Sequence, residues 1–207
     1  MSAHSANASV SAGAPSGKRI ATAVLALALL SGASPALAAD YYGSSPVDSR
    51  SFAPYNEVRG GVYFHDTMDR ESGVDINAEI LMRWGALAFK TPFLDTQSML
   101  RPHIGGNLNT SGDTSILYAG YTLSIDLTDY LFVEGSFGGM VHNGNTEAGQ
   151  GGLALGCNVM FHESASVGYR INQAWNLSAI IEHSSNNGYC SDNDGLTNVG
   201  VRLGYAF

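Results

Sequence analysis

Apolar and polar side chains alternate with a period of two in one segment after another of this chain. The pattern is clearest at the C-terminus, where one face of the segment carries Val199, Val201, Leu203, Tyr205 and Phe207. The opposite face carries Asn198, Gly200, Arg202, Gly204 and Ala206. Alternation over about ten residues, apolar on one side and polar or small on the other, is typical of a strand in a transmembrane β-barrel.

Eight segments alternate in this way, and their spacing predicts a closed barrel. They cover residues 56–65, 74–88, 99–109, 115–126, 130–142, 161–171, 176–185 and 197–207. Connections after the fourth and sixth segments are short, whereas those after the fifth and seventh are long, as in outer-membrane barrels with short periplasmic turns and long external loops. We therefore predict an all-β fold, an eight-stranded antiparallel barrel of the outer membrane. A further strand at 153–160 would make the number odd, so 143–160 is interpreted as a loop.

The inward-facing positions give a second argument for this fold. They collect five arginines and four carboxylates, namely Arg59, Arg83, Arg101, Arg170, Arg202, Asp75, Glu79, Glu134 and Glu182. An eight-stranded barrel is too narrow for a channel, so side chains fill it, and buried charges need partners. The set predicts an ion-pair network in the lumen. A soluble barrel such as a lipocalin, with its apolar face inward, is the alternative, and the charged inner face disfavours it.

The N-terminal segment predicts export from the cytoplasm. Lys18 and Arg19 precede an apolar run at 20–30, and an A-x-A cleavage motif follows at 36–38. Removal of the two basic residues takes the formal net charge from −8 to −10, because residues 1–38 contain no acid. That acidity disfavours a nucleic-acid partner. The predicted organisation is a signal peptide, a flexible lead-in and the barrel, over residues 1–38, 39–55 and 56–207.

The two cysteines and the last residue fit the same location. Cys157 and Cys190 both fall in external loops of the predicted barrel, and an exported chain meets an oxidising compartment, so we predict a disulfide between them. No His or Cys residues have zinc-site spacing, and we expect neither a metal nor another cofactor. Phe207 ends the chain as the terminal aromatic of outer-membrane barrels does, which predicts recognition by the barrel-assembly machinery.

Two polar residues stand on the predicted lipid face of the seventh segment. His183 and Ser185 share a face with apolar residues, near the external rim, and Thr197 lies at the same depth on the next segment. A serine hydroxyl becomes a nucleophile when an adjacent base takes its proton, and residues i and i+2 of a strand lie side by side. An oxyanion would need N–H donors, which Asn186 or Asn187 could supply.

The same run of residues resembles a known family. The pattern H-x-S-N at 183–186, followed by N-x-G-L at 193–196, is similar to that of the lipid A 3-O-deacylases, whose relatives are often labelled acyloxyacyl hydrolases. The resemblance implies an outer-membrane serine hydrolase that removes an ester-linked acyl chain from lipid A, the lipid part of lipopolysaccharide. It implies that Ser185 is the nucleophile and His183 the base. Asn186 and Asn193 match the family's asparagines, and Asn193 and Gly195 shape the oxyanion pocket.

One position departs from the family pattern. Thr197 stands where the family has the glutamate of its catalytic triad. Threonine accepts a hydrogen bond from imidazole but cannot offset the charge of an imidazolium. The site could work as a weaker dyad, or another acid could substitute. Glu163 on the sixth segment is the main candidate, with Asp192 and Asp194 as loop alternatives. A third possibility is a non-catalytic small barrel with a structural or adhesive role.

Overall fold

The computed structural model of the chain describes residues 54–92 and 96–207. In these ranges the chain forms nine β-strands: β1 Glu57–Phe64, β2 Val74–Leu81, β3 Leu87–Lys90, β4 Gln97–Asn109, β5 Ile116–Asp126, β6 Leu131–His142, β7 Val159–Arg170, β8 Trp175–Ser185 and β9 Leu196–Ala206. Within them no helix is long and apolar enough to cross a membrane. The predicted signal peptide, and all but the last two residues of the predicted lead-in, lie outside the described residues.

The strands close into a barrel of eight antiparallel positions. Each strand pairs with the next along the chain from β4 to β9, and β1 pairs with both β2 and β9. Strands β2 and β3 both pair with β4, so they share one position in the wall. The predicted eight-stranded antiparallel barrel is therefore confirmed. Side chains that face outward are mostly apolar and exposed, whereas inward-facing side chains are mostly polar and buried.

The two rims of the barrel differ in their connections. One rim holds the start of β1, the end of β9 and the short turns 127–130 and 171–174; we call it the periplasmic rim. The other, the external rim, holds the connections 65–73, 110–115, 143–158 and 186–195. Of the segment 143–160, interpreted from the sequence as a loop, residues 143–158 are a loop with a single isolated bridge between Asn145 and Ala154, and the last two residues belong to β7.

The second predicted strand is not continuous, and here the prediction was wrong. Pairing with β4 stops at Leu81 and resumes at Leu87. Between them Arg83 accepts a hydrogen bond from the N–H of Ala86 at 3.1 Å, and Gly85 adopts a positive φ of 78°. Glycine tolerates that conformation at the third position of a tight turn. The turn carries Arg83 out of the wall to an exposed position, so it does not join the lumen network.

A compact ion-pair network fills the lumen, as predicted, but its membership differs. Arg59 lies at its centre and bonds three carboxylates: Glu57 at 2.8 Å, Glu134 at 2.7 Å and Glu79 at 3.3 Å. Glu57, absent from the predicted set, also binds Arg101 at 2.9 Å, while Arg202 contacts Glu79 at 3.0 Å. Arg170 instead pairs with Asp126 towards the periplasmic rim. Three arginines thus face three glutamates, which satisfies the requirement that buried charges be paired.

The external mouth of the lumen is closed by apolar side chains. Leu153 and Leu155 of the loop 143–158 are fully buried against residues of the barrel wall. They pack with Ile116, Tyr118, Met140, Met160 and Leu196. The predicted disulfide joins Cys157 to Cys190 with their Cα atoms 5.8 Å apart, so it links the loops 143–158 and 186–195 at this rim. The two loops that flank the candidate site are therefore fixed to each other and to the barrel.

Candidate active site

His183 and Ser185 lie side by side on the outer wall of the barrel. Both are partly exposed, whereas the residues that alternate with them, Glu182 and Ser184, are buried and face the lumen. They are among the last three residues of β8, directly before the loop 186–195 at the external rim. The strand register therefore holds a histidine and a serine on the surface that faces the membrane.

Thr197 is the direct hydrogen-bond partner of His183. The two residues are paired across β8 and β9, and the Nδ1 atom of His183 lies 2.7 Å from Oγ1 of Thr197. Donation from Nδ1–H to the hydroxyl oxygen leaves Nε2 as the basic nitrogen of the ring. Thr197 can therefore orient the imidazole, one of the tasks that an acid performs in a triad.

Glu163 stands on the other side of the same histidine. It is the cross-strand partner of His183 in the pairing of β7 with β8, and it is exposed on the outer wall. Side chains directly opposite each other in an antiparallel pair have Cβ atoms about 4.5–5.5 Å apart. The described residues include no hydrogen bond between these two side chains. Glu163 therefore lies within electrostatic reach of the imidazole without fixing its orientation.

Asn186 orders the loop that follows the serine. Its side-chain amide donates to the backbone oxygens of Leu155 at 2.8 Å and Asp192 at 2.6 Å, and its Oδ1 accepts from the N–H of Gly188 at 2.9 Å. Asn193 contributes by accepting the N–H of Asn186 at 2.9 Å. Because both amide hydrogens of Asn186 already have acceptors, this side chain acts as a support of the loop in this structure.

Gly195 brings the loop into contact with the histidine. Its φ is +65°, and a Cβ atom placed on it would lie 3.0 Å from Cε1 of His183. A glycine is required there both by the left-handed backbone conformation and by the close approach of the ring. Asp194, the preceding residue, uses its carboxylate to accept the N–H of Ala154 at 2.8 Å. This acid is therefore directed towards the loop 143–158.

Sequence reasoning missed a cluster of charged residues in the loop 65–73. His65 is buried and lies 2.9 Å from Asp75 through Nδ1 and 3.0 Å from Glu71 through Nε2. Glu71 also accepts the N–H of Leu153 at 2.9 Å and the N–H of Thr114 at 3.1 Å, so it joins three external segments. No spacing motif marks these residues. The only signal is the high density of acidic side chains after β1.

The environment of His65 changes its protonation. Burial opposes the charged form, but the hydrogen bonds and charges of Asp75 and Glu71 outweigh it and raise the pKa of His65 to about 9. Burial likewise opposes ionisation of Glu71, and the hydrogen bonds from His65 and from the backbone of Leu153 help to lower its pKa to about 2. Both groups are therefore charged at neutral pH and tie the loop 65–73 to β2.

We expect His65 to titrate near pH 9 in the folded protein. Since its folded pKa exceeds the ordinary value of 6.5, the stabilisation is complete below pH 6.5 and is lost as the pH rises through 9. The titration can be followed by NMR of the imidazole protons in detergent micelles, with His65→Gln to assign the signal. Glu71→Gln should lower the midpoint, whereas Glu147→Gln, a change in an exposed loop, should not. A midpoint near 6.5 in the wild type would contradict this assignment.

Comparison with known proteins was made for both the sequence and the fold. The family model described as lipid A 3-O-deacylase (PagL) matches residues 85–206. Among curated proteins no sequence matches the chain. The crystal structure of the outer membrane enzyme PagL superposes with a TM-score of 0.60 at 16% identity, covering 73% of this chain and 99% of PagL. The outer membrane protein Ail of Yersinia pestis is less similar, with a TM-score of 0.44 at 10% identity over 74% of this chain and 99% of Ail.

The family match includes the whole of the candidate site. It spans β7, β8 and β9, together with the loop 186–195, and covers more than half of the chain. The structural likeness independently shows that the fold is shared. The predicted fold and the predicted location in the outer membrane are thus confirmed, and this chain belongs to the lipid A 3-O-deacylase (PagL) family.

Proposed function

We propose that this protein hydrolyses an ester-linked acyl chain of lipid A, with Ser185 as the nucleophile and His183 as the general base. The observation that carries the proposal is the pair of these residues on the outer wall, with Nδ1 of His183 bonded to Thr197. A lipid ester in the outer leaflet meets the protein on that wall, near the external rim. Polar side chains there have no lumenal partner and are costly unless they serve a purpose.

The proposed reaction is a two-step acyl transfer. His183 Nε2 takes the proton of the Ser185 hydroxyl while Oγ attacks the ester carbonyl carbon. The bond between the carbonyl carbon and the sugar oxygen then breaks, and Nε2 returns the proton to that oxygen. In the second step water, deprotonated by Nε2, attacks the carbonyl carbon of the acyl-enzyme. The bond from that carbon to Oγ breaks, Nε2 returns the proton to Oγ, and a fatty acid and free Ser185 are released. No cofactor or metal is needed for this sequence.

Two residues share the work that a single acid performs in the family's triad. Thr197 orients the imidazole through its hydrogen bond at 2.7 Å. Glu163, directly opposite His183 in the sheet, supplies the negative charge that stabilises the imidazolium formed in each step. A negative charge near an imidazolium stabilises its charged form. We therefore assign orientation to Thr197 and charge compensation to Glu163.

The oxyanion is stabilised by the backbone of the loop 186–195 in this proposal. Both amide hydrogens of Asn186 are already bonded to carbonyl oxygens, so its side chain holds the loop in place and leaves this task to backbone N–H groups. Asn193 and Gly195 define the shape of the loop next to His183. Preorganised N–H donors of this kind stabilise developing negative charge without reorganisation during the reaction.

An aromatic surface beside Ser185 fits the acyl chain. Phe161 is the cross-strand partner of Ser185, and its ring lies 5.9 Å from that of Phe137 and 6.1 Å from that of Tyr189. Phe137 and Phe161 are exposed on the outer wall, and Tyr189 is exposed in the loop 186–195. Apolar contact with the substrate at this surface would place the ester group over Ser185.

The proposal is tested by mass spectrometry of lipid A from cells that express the protein, compared with cells carrying an empty vector. We expect the loss of one acyl chain. A serine-directed phosphonate probe should label the peptide that contains Ser185 in the purified protein. An unchanged lipid A profile with a folded barrel in the outer membrane would favour the non-catalytic structural or adhesive barrel. Labelling at Ser184, which faces the lumen, would overturn the assignment of the nucleophile.

A further inference from the structure

The loop 65–73 forms hydrogen bonds with the first residues of β9. The N–H of Thr67 donates to the backbone oxygen of Thr197 at 2.8 Å. The N–H of Asp66 donates to the side chain of Asn198 at 3.0 Å. Thr197, the hydrogen-bond partner of His183, is therefore held through its backbone by a loop about 130 residues earlier in the chain.

Arg70 adds hydrogen bonds from the same loop to the turn that contacts His183. Its guanidinium donates from NH1 to the backbone oxygen of Asp194 at 2.7 Å and from NH2 to the backbone oxygen of Gly195 at 2.9 Å. A trans peptide directs its N–H away from its C=O. The two contacts therefore fix two successive peptide planes and turn the N–H groups of Gly195 and Leu196 away from Arg70.

Asp66 holds Arg70 in the position that makes these contacts possible. Its carboxylate accepts from Nε of Arg70 at 3.2 Å and from NH2 at 2.8 Å, a two-pronged pair of hydrogen bonds. It also accepts the backbone N–H of Arg70 at 2.7 Å. Burial opposes ionisation of Asp66, but these hydrogen bonds outweigh it and lower the pKa of the carboxyl group. The planar fork of arginine suits such bonding, whereas the ammonium of lysine does not reproduce it.

We propose that Arg70, held by Asp66, is a positioning residue that keeps the Asp194–Gly195 turn against His183. The inference rests on the proposed function. The chain of contacts runs from Asp66 through Arg70 to Gly195, whose backbone lies against the imidazole. Arg70 does not touch the reacting atoms. Its effect is on the orientation of the histidine and of the adjacent backbone, which a displacement of well under an ångström would disturb.

The test compares Arg70→Ala with the wild-type protein in detergent micelles that contain lipid A. We expect kcat to fall about tenfold with little change in KM, because substrate contacts are kept while the geometry of the catalytic groups is lost. Arg70→Lys should recover part of kcat, since one donor can still reach the two carbonyl groups. Arg83→Ala removes an exposed arginine from the turn between β2 and β3, and this variant should behave as wild type.

Two outcomes would overturn the inference. In an active enzyme, an unchanged kcat for Arg70→Ala would exclude a positioning role, and a raised KM with unchanged kcat would indicate a substrate contact instead. If the wild type removes no acyl chain, the proposed function fails, and hydrogen exchange of the amides at 194–198 decides the inference separately. Faster exchange in Arg70→Ala than in Arg83→Ala supports the positioning role of Arg70, whereas equal exchange excludes it.

Discussion

Replacement of Ser185 by alanine should reduce the rate of lipid A deacylation by a factor on the order of 10⁴ to 10⁶. The acyl-enzyme cannot form without the hydroxyl, and the remaining rate comes only from substrate binding and from the oxyanion-stabilising backbone. His183→Ala should cause a loss of similar size, since the hydroxyl of Ser185 is then not activated. The double variant should be no worse than either single variant, because the two side chains act as one unit.

The neighbouring serine provides a matched control for this prediction. Ser184 faces the lumen, where its hydroxyl lies 3.0 Å from Nδ1 of His162. Ser184→Ala removes the equivalent hydroxyl group from the neighbouring residue and should leave the deacylation rate near that of the wild type. Rates would be measured by release of fatty acid from purified lipid A, with folding checked by electrophoretic mobility before and after heating. Activity in the Ser185→Ala variant would exclude Ser185 as the nucleophile.

Neutralisation of Glu163 is the second change with a large expected effect. Glu163→Gln should lower kcat roughly 100-fold, because the imidazolium formed in each step then loses the negative charge that compensates it. The loss should be smaller than that of Ser185→Ala, since the hydrogen bond between His183 and Thr197 still orients the imidazole.

A second substitution distinguishes charge compensation from other roles of Glu163. Thr197→Glu places a carboxylate at the position that contacts Nδ1 of His183, and in the Glu163→Gln background it should recover most of kcat. Glu147→Gln makes the same charge change in an exposed loop and serves as the control. Wild-type kcat in Glu163→Gln would leave Thr197 as the sole partner of His183. Failure of Thr197→Glu to restore kcat would show that the carboxylate is needed on β7.

The features that follow from period-two alternation were predictable. Alternation assigns each residue of a strand to one face, and short turns fix the register between neighbouring strands. The short connection between the sixth and seventh predicted segments sets the register of β7 against β8, and in the observed pairing Glu163 lies opposite His183. The same logic put both cysteines at one rim, where the disulfide joins them.

The features that escaped prediction depend on local backbone conformation or on contacts between distant loops. The interruption between β2 and β3 arises at a turn in which Gly85 has a positive φ, a feature that alternation cannot reveal. The same turn carries Arg83 away from the lumen. Arg70 contacts Gly195 across 125 residues of sequence with no motif to mark either partner. Loops carry no periodic pattern, so the hydrogen bonds that fix them become visible only when the barrel brings their ends together.

The outward position of His183 and Ser185 changes how the concentration of a lipid substrate enters the kinetics. These residues lie on a convex wall, so a lipid approaches them by sideways diffusion within the membrane plane. The relevant quantity is then the mole fraction of lipid A at the surface, and its bulk molarity does not enter. Addition of inert detergent at fixed total lipid A should slow the reaction, and a Michaelis constant for this protein has meaning only per unit of interface.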